Sequence, residues 1–469
     1  MARRLLTRPD AEQTLAAGFE AIRDELGLPD EFPPDVLDAA EAARSRGPLP
    51  ADRDDQSALP FATLDPRESR DLDQAFHIER AGAALVLRYA IADVAAWVQH
   101  GDALDAEAWR RAVTVYSPDL RTPLYPPGLS EGAASLLPGD ARPAVVFTIE
   151  VSGEGDAELR SVRRALVRSV AKLAYEDAER DPPPLLIDMA TRLAAAEARR
   201  GAVRIEVPDQ SIVRDEVAPG GFRLEPERRL VSEDWNAQLS LVTNLLVARA
   251  QLAAGIGLMR VMPPTDPARE AGLRRAAAAL GMPTGDDESL GAILRRLDST
   301  DPHHVAFMVS ARRALGRARY AALPVVDGVV EHAAIAAPYA HATAPLRRLG
   351  DRYVLEAALA VAAGEPVPEA VVAAFPRLPP VLARGDSLAG RLDAACVDLV
   401  EAHALRGMVG QRLRAVVTAI DDRGAMLQVD DPPVRSRATV PAGVKPGDVL
   451  EVVLREADPA RRLVRLEIA

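Results

Sequence analysis

The apolar and polar positions of the chain fall into three textures. Near the start, Leu15, Phe19 and Ile22 recur at helical spacing and predict a helix ended by Gly27 and Pro29. Val36 to Ala43 predicts a second, shorter helix. From residue 56 the period shortens. Segments 61–64, 74–80, 84–91 and 144–152 read as strands, punctuated by Gly82, Gly153 and Gly155. Helices accompany them: Asp102 can cap one through Trp109 to Val113, and Asp188 another through Leu193 to Arg200, stopped by Gly201. Ser232 can cap a long helix whose Trp235, Leu239, Val242 and Leu246 share one face. From Val409 onward the pattern becomes RLRAVVTAI, AMLQVD, ATVP, DVLEVVLREA and RLVRLEI, separated by Asp422-Arg423-Gly424, Pro432-Pro433, Pro446-Gly447 and Asp458-Pro459. Five short strands in about 60 residues predict a small antiparallel barrel of the OB type.

These textures divide the 469 residues into a helical N-terminal segment (1–55), an α/β (α+β) domain (56–365), a Pro/Ala-rich connection leading into a helix (366–407) and the barrel (408–469). In the N-terminal segment acidic residues outnumber basic ones, so we expect a packing arm rather than a nucleic-acid contact. The most apolar long stretch, 239–259, is interrupted by Asn244, Arg249 and Gln251, and reads as a buried helix rather than a membrane span. The N-terminus, MARRLLTRPDAEQ, lacks the apolar core of a signal peptide, so a soluble, cytoplasmic protein is expected. A single cysteine, Cys396, excludes an internal disulfide and any multi-cysteine zinc site. The net charge of −12 argues against a simple basic nucleic-acid binder, because phosphate contacts need locally positive surface. Lys172 and Lys445 are the only lysines, so the arginine richness reflects general composition more than RNA binding.

One stretch carries candidate chemistry. Thr63 to Ala75, TLDPRESRDLDQA, packs Asp65, Asp71 and Asp73 into nine residues. Pro66 disfavours helix at Asp65, and the Asp/Ser/Arg mix favours a turn. Apolar neighbours on both sides (Leu59, Phe61 and Leu64; Ala75, Phe76 and Ile78) place this loop between buried strands. Clustered carboxylates suit a hard divalent cation such as magnesium. On these residues alone a solvated Asp-rich turn is the more ordinary reading. The spacing excludes an EF-hand, which needs a glycine at its sixth position and a glutamate at its twelfth.

TLDPRESRDLDQA resembles the aspartate signature of the ribonuclease II and ribonuclease R exoribonucleases, the RNB family. RYAIADVAAWV (88–98), the block from LDAEAWRR to DARPA (104–144), AKLAYED (171–177) and TAPLRRLGD (343–351) resemble further family motifs in the same order, and together they span roughly residues 59–360. The resemblance implies an RNB catalytic domain followed by an RNA-binding OB barrel. It also implies a magnesium-dependent 3′→5′ exoribonuclease that acts processively on single-stranded RNA, not DNA, releases nucleoside 5′-monophosphates and works as a monomer. One or two Mg2+ ions, with Mn2+ as a substitute, are implied at Asp65, Asp71, Asp73 and Gln74. The implied catalytic set is Asp73, Arg347 and Asp71.

Arg347 matches the family arginine that contacts the scissile phosphate, and a guanidinium suits that bidentate, permanently charged contact. Arg348 is the second choice of the pair for RNA binding. Tyr175 matches a tyrosine that packs on the last nucleotide, and Tyr116 an aromatic at the 3′-terminal base. Two departures stand out. The segment 199–212 holds no aromatic to match a family phenylalanine clamp, and residues 409–469 contain no Phe, Tyr or Trp for base stacking, which leaves arginines such as Arg412, Arg414, Arg435 and Arg437. Gln74 stands where the family usually has a fourth aspartate. It keeps an oxygen but loses a charge, so an RNA-binding pseudoenzyme of the same fold is the alternative.

Overall fold

The computed structural model describes residues 10–469, apart from 206, 208, 209, 219, 228, 283, 286, 287 and 430, with side chains from residue 15. Residues 1–9, read above as too polar for a signal peptide, lie outside the described residues, as does 430 at the end of AMLQVD.

Alternating burial builds the central sheet. Leu85, Leu87 and Tyr89 on the strand Ala84–Ala92 are fully buried, as are Phe147 and Ile149 on Ala141–Val151. Gln74–Ala81 and Ala84–Ala92 form a hairpin in which Ala81 pairs with Ala84, and the tight turn is closed by Gly82 at φ 62°. Strand order is 54–55, 157–174, 61–65, 74–81, 84–92, 141–151, and the last strand pairs back onto 157–174. The sheet therefore closes on itself around one apolar interior.

The closing strand, Ala157–Ala174, has no counterpart among the strands expected from sequence. Arg160, Arg163, Arg164 and Arg168 break up its apolar alternation, since this strand carries an open, charged face. It is 18 residues long and bends between partners, running antiparallel to Ala141–Val151 and then parallel to Phe61–Asp65.

The helices follow their predicted cores more closely than their predicted caps. Asp102 does cap Ala103–Arg111, accepting from the Asp105 N–H at 2.7 Å. Asp188 does not cap: its helix starts earlier, at Leu186, with Leu185 between it and the Pro182–Pro184 run, and Asp188 pairs instead with Arg192 (2.8 Å) and Arg80 (3.1 Å). Ser232 does not cap Val231–Ala254 either. Glu179 reaches across from the helix Tyr175–Arg180 to accept from the Val231 N–H at 2.5 Å, and the Ser232 hydroxyl donates to the Tyr175 carbonyl at 2.8 Å.

The N-terminal helices Asp10–Leu26 and Pro34–Arg46 lie against the rest of the chain as an arm. Phe19 meets Phe222 edge-on at 5.2 Å, Gly18 lets the first helix approach Leu399 on the long helix Leu378–Leu405, and Arg23 binds Asp119 at 2.7 Å. The C-terminal strands order as 434–438, 424–429, 412–421, 449–458, 463–468. A hydrogen bond from the Ser436 hydroxyl to the Val464 carbonyl (2.9 Å) ties the two outer strands, which makes the five-stranded near-barrel of an OB-type fold. The third strand is Val434–Ala438 rather than ATVP, because VRSRA alternates strictly between buried and half-buried.

Candidate active site

The acidic loop joins the strands Phe61–Asp65 and Gln74–Ala81. Leu72 anchors it: the side chain is fully buried, its N–H donates to the Ser135 hydroxyl at 2.9 Å, and its carbonyl accepts from Leu136 at 3.0 Å. With Leu72 turned inward, an extended backbone sends Asp71 and Asp73 to the opposite side. The Asp73 carbonyl accepts from the Ala92 N–H at 2.9 Å, so the sheet ladder itself fixes the base of Asp73.

Tertiary pairing brings the distant motifs here. Asp65 stands opposite Ala174 in the parallel ladder, which sets Tyr175, the next residue, beside the acidic loop. The Asn236 amide binds both the Leu64 carbonyl (3.0 Å) and the Tyr175 hydroxyl (3.3 Å). Asp73 accepts from the Leu346 N–H at 2.7 Å and from Arg347 Nε at 3.1 Å. Asp71 accepts from Arg121 at 2.6 Å, and the same guanidinium reaches Glu131 at 2.5 Å.

Burial, chiefly, pushes the Asp65 and Asp73 carboxyls up to about 7; the neighbouring charge of Asp71 adds to this and Arg347 opposes it. Asp65 Oδ2 is buried without a hydrogen-bond partner among the described residues. Two carboxyls that resist ionisation, one with a free buried oxygen, mark a place where positive charge is wanted.

The arginine pair divides. Arg347 keeps about half of its side chain exposed while held by Asp73. Arg348 is forked onto Asp351 at 3.0 and 2.7 Å, and Asp351 also accepts from the Ala344 N–H. Gln74 is engaged at both ends: its amide donates to the Thr343 carbonyl at 2.5 Å, and its oxygen accepts from the Tyr89 hydroxyl. Tyr116 is 51% exposed, yet burial of its hydroxyl end, with Asp71 next, pushes the phenol up to about 12. It stands at the rim of a cleft of about 940 Å³ that leads past Gln210 and Val309 to Thr418 and Arg435 of the barrel. Part of segment 199–212 lies outside the described residues. Tyr89, Arg121, Asn236 and Leu72 were not anticipated from sequence; only the positions of Leu72, between two aspartates, and Tyr89, within RYAIAD, carried a signal.

A family model described as the RNB domain matches residues 53–362, and one described as the RNase II-type exonuclease C-terminal S1 domain matches residues 411–469. The chain belongs to the RNB family. The Ribonuclease R of Thermotoga maritima is 27% identical over 358 residues, which cover 71% of this chain and 50% of that protein. The chain thus spans about half the length of that curated relative. Two solved structures share the fold. Mycoplasma genitalium RNase R, in complex with ribose-methylated single-stranded RNA, aligns with a TM-score of 0.85 at 20% identity, covering all of this chain and 79% of that one. Yeast Ssd1, described as a pseudonuclease, aligns at 0.71 and 16% identity over 96% of this chain and 58% of that one.

RNB-family nucleases typically depend on divalent metal. Among the described residues no three His, Cys, Asp or Glu side chains converge into a ready-made cage. Magnesium does not require one, because it is commonly held by one or two carboxylates together with water and substrate phosphate oxygens. The hard oxygen donors of Asp65, Asp71 and Asp73, and the unpartnered Asp65 Oδ2 in particular, fit such a cation.

Proposed function

We propose that this RNB protein is a magnesium-dependent 3′→5′ exoribonuclease that hydrolyses single-stranded RNA processively to nucleoside 5′-monophosphates. The observation that carries this reading is the junction at Asp73. One buried carboxylate fixes both the Leu346 amide and the Arg347 guanidinium, with Asp65, Asp71 and Tyr175 close by. A site decayed to simple RNA binding has no need to keep two costly buried carboxyls beside a half-exposed arginine.

The roles follow from the chemistry of each group. Arg347 meets the scissile phosphate with a charge that never titrates. Tyr175, steadied by Asn236, packs on the last nucleotide, and Tyr116 offers its exposed ring to the terminal base. Asp65, Asp71 and Asp73 would hold the magnesium; Gln74 contributes through its own contacts, and Arg348 through Asp351. When bound, the metal supplies an activated water and relieves charge on the phosphate. RNA rather than DNA is the expected substrate, read through the 2′-hydroxyl near Tyr116 and Tyr175. A monomer and a cytoplasmic setting complete the proposal; among the described residues no helix is long and apolar enough to cross a membrane.

The test is incubation of the protein with 5′-labelled single-stranded RNA, and DNA of the same sequence, with and without magnesium. A ladder shortening from the 3′ end of the RNA alone, and with metal alone, is expected. No shortening with Mg2+ or Mn2+ would establish the pseudoenzyme reading, and equal rates on DNA would remove the 2′-hydroxyl from the account.

A further inference from the structure

The helix Val231–Ala254 turns Asn236, Ser240 and Asn244 toward the site, and four-residue spacing puts all three on one face. The Ser240 hydroxyl reaches Thr343 Oγ1 at 2.6 Å, and the Asn244 amide reaches the same oxygen at 3.3 Å. Asn244 Oδ1 accepts from the Ala342 N–H at 2.9 Å, and its amide also reaches the Tyr339 hydroxyl at 3.1 Å. From the opposite side, Gln74 Nε2 donates to the Thr343 carbonyl at 2.5 Å. Thr343 and Asn244 are each 1% exposed, so water cannot replace these partners.

Thr343 precedes Arg347 by four residues. Between them the Ala344 N–H is held by Asp351 (2.8 Å) and the Leu346 N–H by Asp73 (2.7 Å). Segment 342–347 is thus fastened from the helix, from the acidic loop and from the sheet, and Gln74 is the sheet's tie. The chemistry of that tie demands an amide. Gln74 Oε1 accepts from the buried Tyr89 hydroxyl while its nitrogen donates to Thr343, and an ionised carboxylate can do only the first.

We propose that Gln74 is a positioning residue: with Ser240 and Asn244 it holds the 342–347 backbone so that Arg347 meets the phosphate, and it does not lend its oxygen to a cation. The catalytic consequence rests on the exoribonuclease reading; the holding of the segment rests on the hydrogen bonds alone.

The experiment compares wild type with Gln74→Met, which keeps the side-chain length without either hydrogen bond, and with Ser240→Ala. Three quantities are read: amide hydrogen exchange over 340–347, RNA affinity in EDTA, and turnover across a magnesium titration. For Gln74→Met, exchange over 340–347 should rise by ~10-fold and turnover should fall by ~10-fold or more. RNA affinity and the magnesium needed for half-maximal rate should stay within ~3-fold. Ser240→Ala should move exchange and turnover the same way by ~3-fold, and it decides the matter if Gln74→Met does not fold. Unchanged exchange over 340–347 in a folded variant, or a magnesium requirement raised by ~5-fold or more in Gln74→Met, would overturn the proposal in favour of a metal ligand. A wild type that never shortens RNA would defeat the functional reading, and the exchange comparison would still decide the role of Gln74.

Discussion

Replacing Asp73 with asparagine separates chemistry from stability at a single atom pair. The residue is 3% exposed, and its two carboxylate oxygens accept from the Leu346 N–H and from Arg347 Nε. Asparagine keeps the shape and can still accept from Leu346 through Oδ1. Its amide nitrogen then faces the Arg347 donor, so the charge pairing with the guanidinium is lost, along with one acid of the cluster. We expect turnover to fall at least ~100-fold, which is about 2.7 kcal/mol of transition-state stabilisation. RNA affinity in EDTA should stay within a few fold, because the tyrosines and the rest of the cleft are untouched.

Stability should move the other way. Burial raises the folded carboxyl to about 7 from the ordinary 3.8 of an aspartate, so the folded state holds its proton where the unfolded chain has released it. That favourable contribution is complete below about pH 4 and is lost as pH climbs to about 7. Above pH 7 the ionised carboxylate costs the fold on the order of a few kcal/mol, a cost that Asp73→Asn removes. Single-turnover kinetics, EDTA binding and thermal melts at pH 5 and pH 8 test all three expectations. Near-normal turnover, or a variant that melts well below wild type at pH 8 without metal, would refute the reasoning.

Three further outcomes follow from the site and its supports. Because Asp65 and Asp73 hold protons up to about 7, magnesium must displace them at lower pH. The magnesium concentration for half-maximal rate should therefore rise by up to ~10-fold per pH unit per carboxyl between pH 7 and 6, and a flat requirement would argue against these ligands. Tyr116→Ala should weaken single-stranded RNA binding in EDTA by ~5- to 150-fold, the worth of one stacked base, with little change in melting temperature. Glu179→Ala should cost about 1 kcal/mol in chemical denaturation, because it leaves the first N–H groups of the helix Val231–Ala254 without an acceptor.

Local chemistry written along the chain was enough to locate the acidic loop, the helical faces and four of the five C-terminal strands. Three aspartates within nine residues beside Pro66 mark the acidic loop without any partner, and the apolar pattern of residues 84–91 reads as a strand on its own. The five ordered motifs likewise pointed to the RNB family, whose model matches residues 53–362.

What depended on long-range pairing stayed hidden. The arginines of Ala157–Ala174 mask a strand that exists because three other strands hydrogen-bond its edges, and its register sets Tyr175 against Asp65. The cap of Val231–Ala254 comes from Glu179, 52 residues away, so no local pattern could reveal it. Gln74 reads in sequence as a weakened ligand, while the fold supplies it with Tyr89 and Thr343. What occupies the two ends of this neutral amide depends on neighbours 15 and 269 residues along the chain, which no local pattern could show.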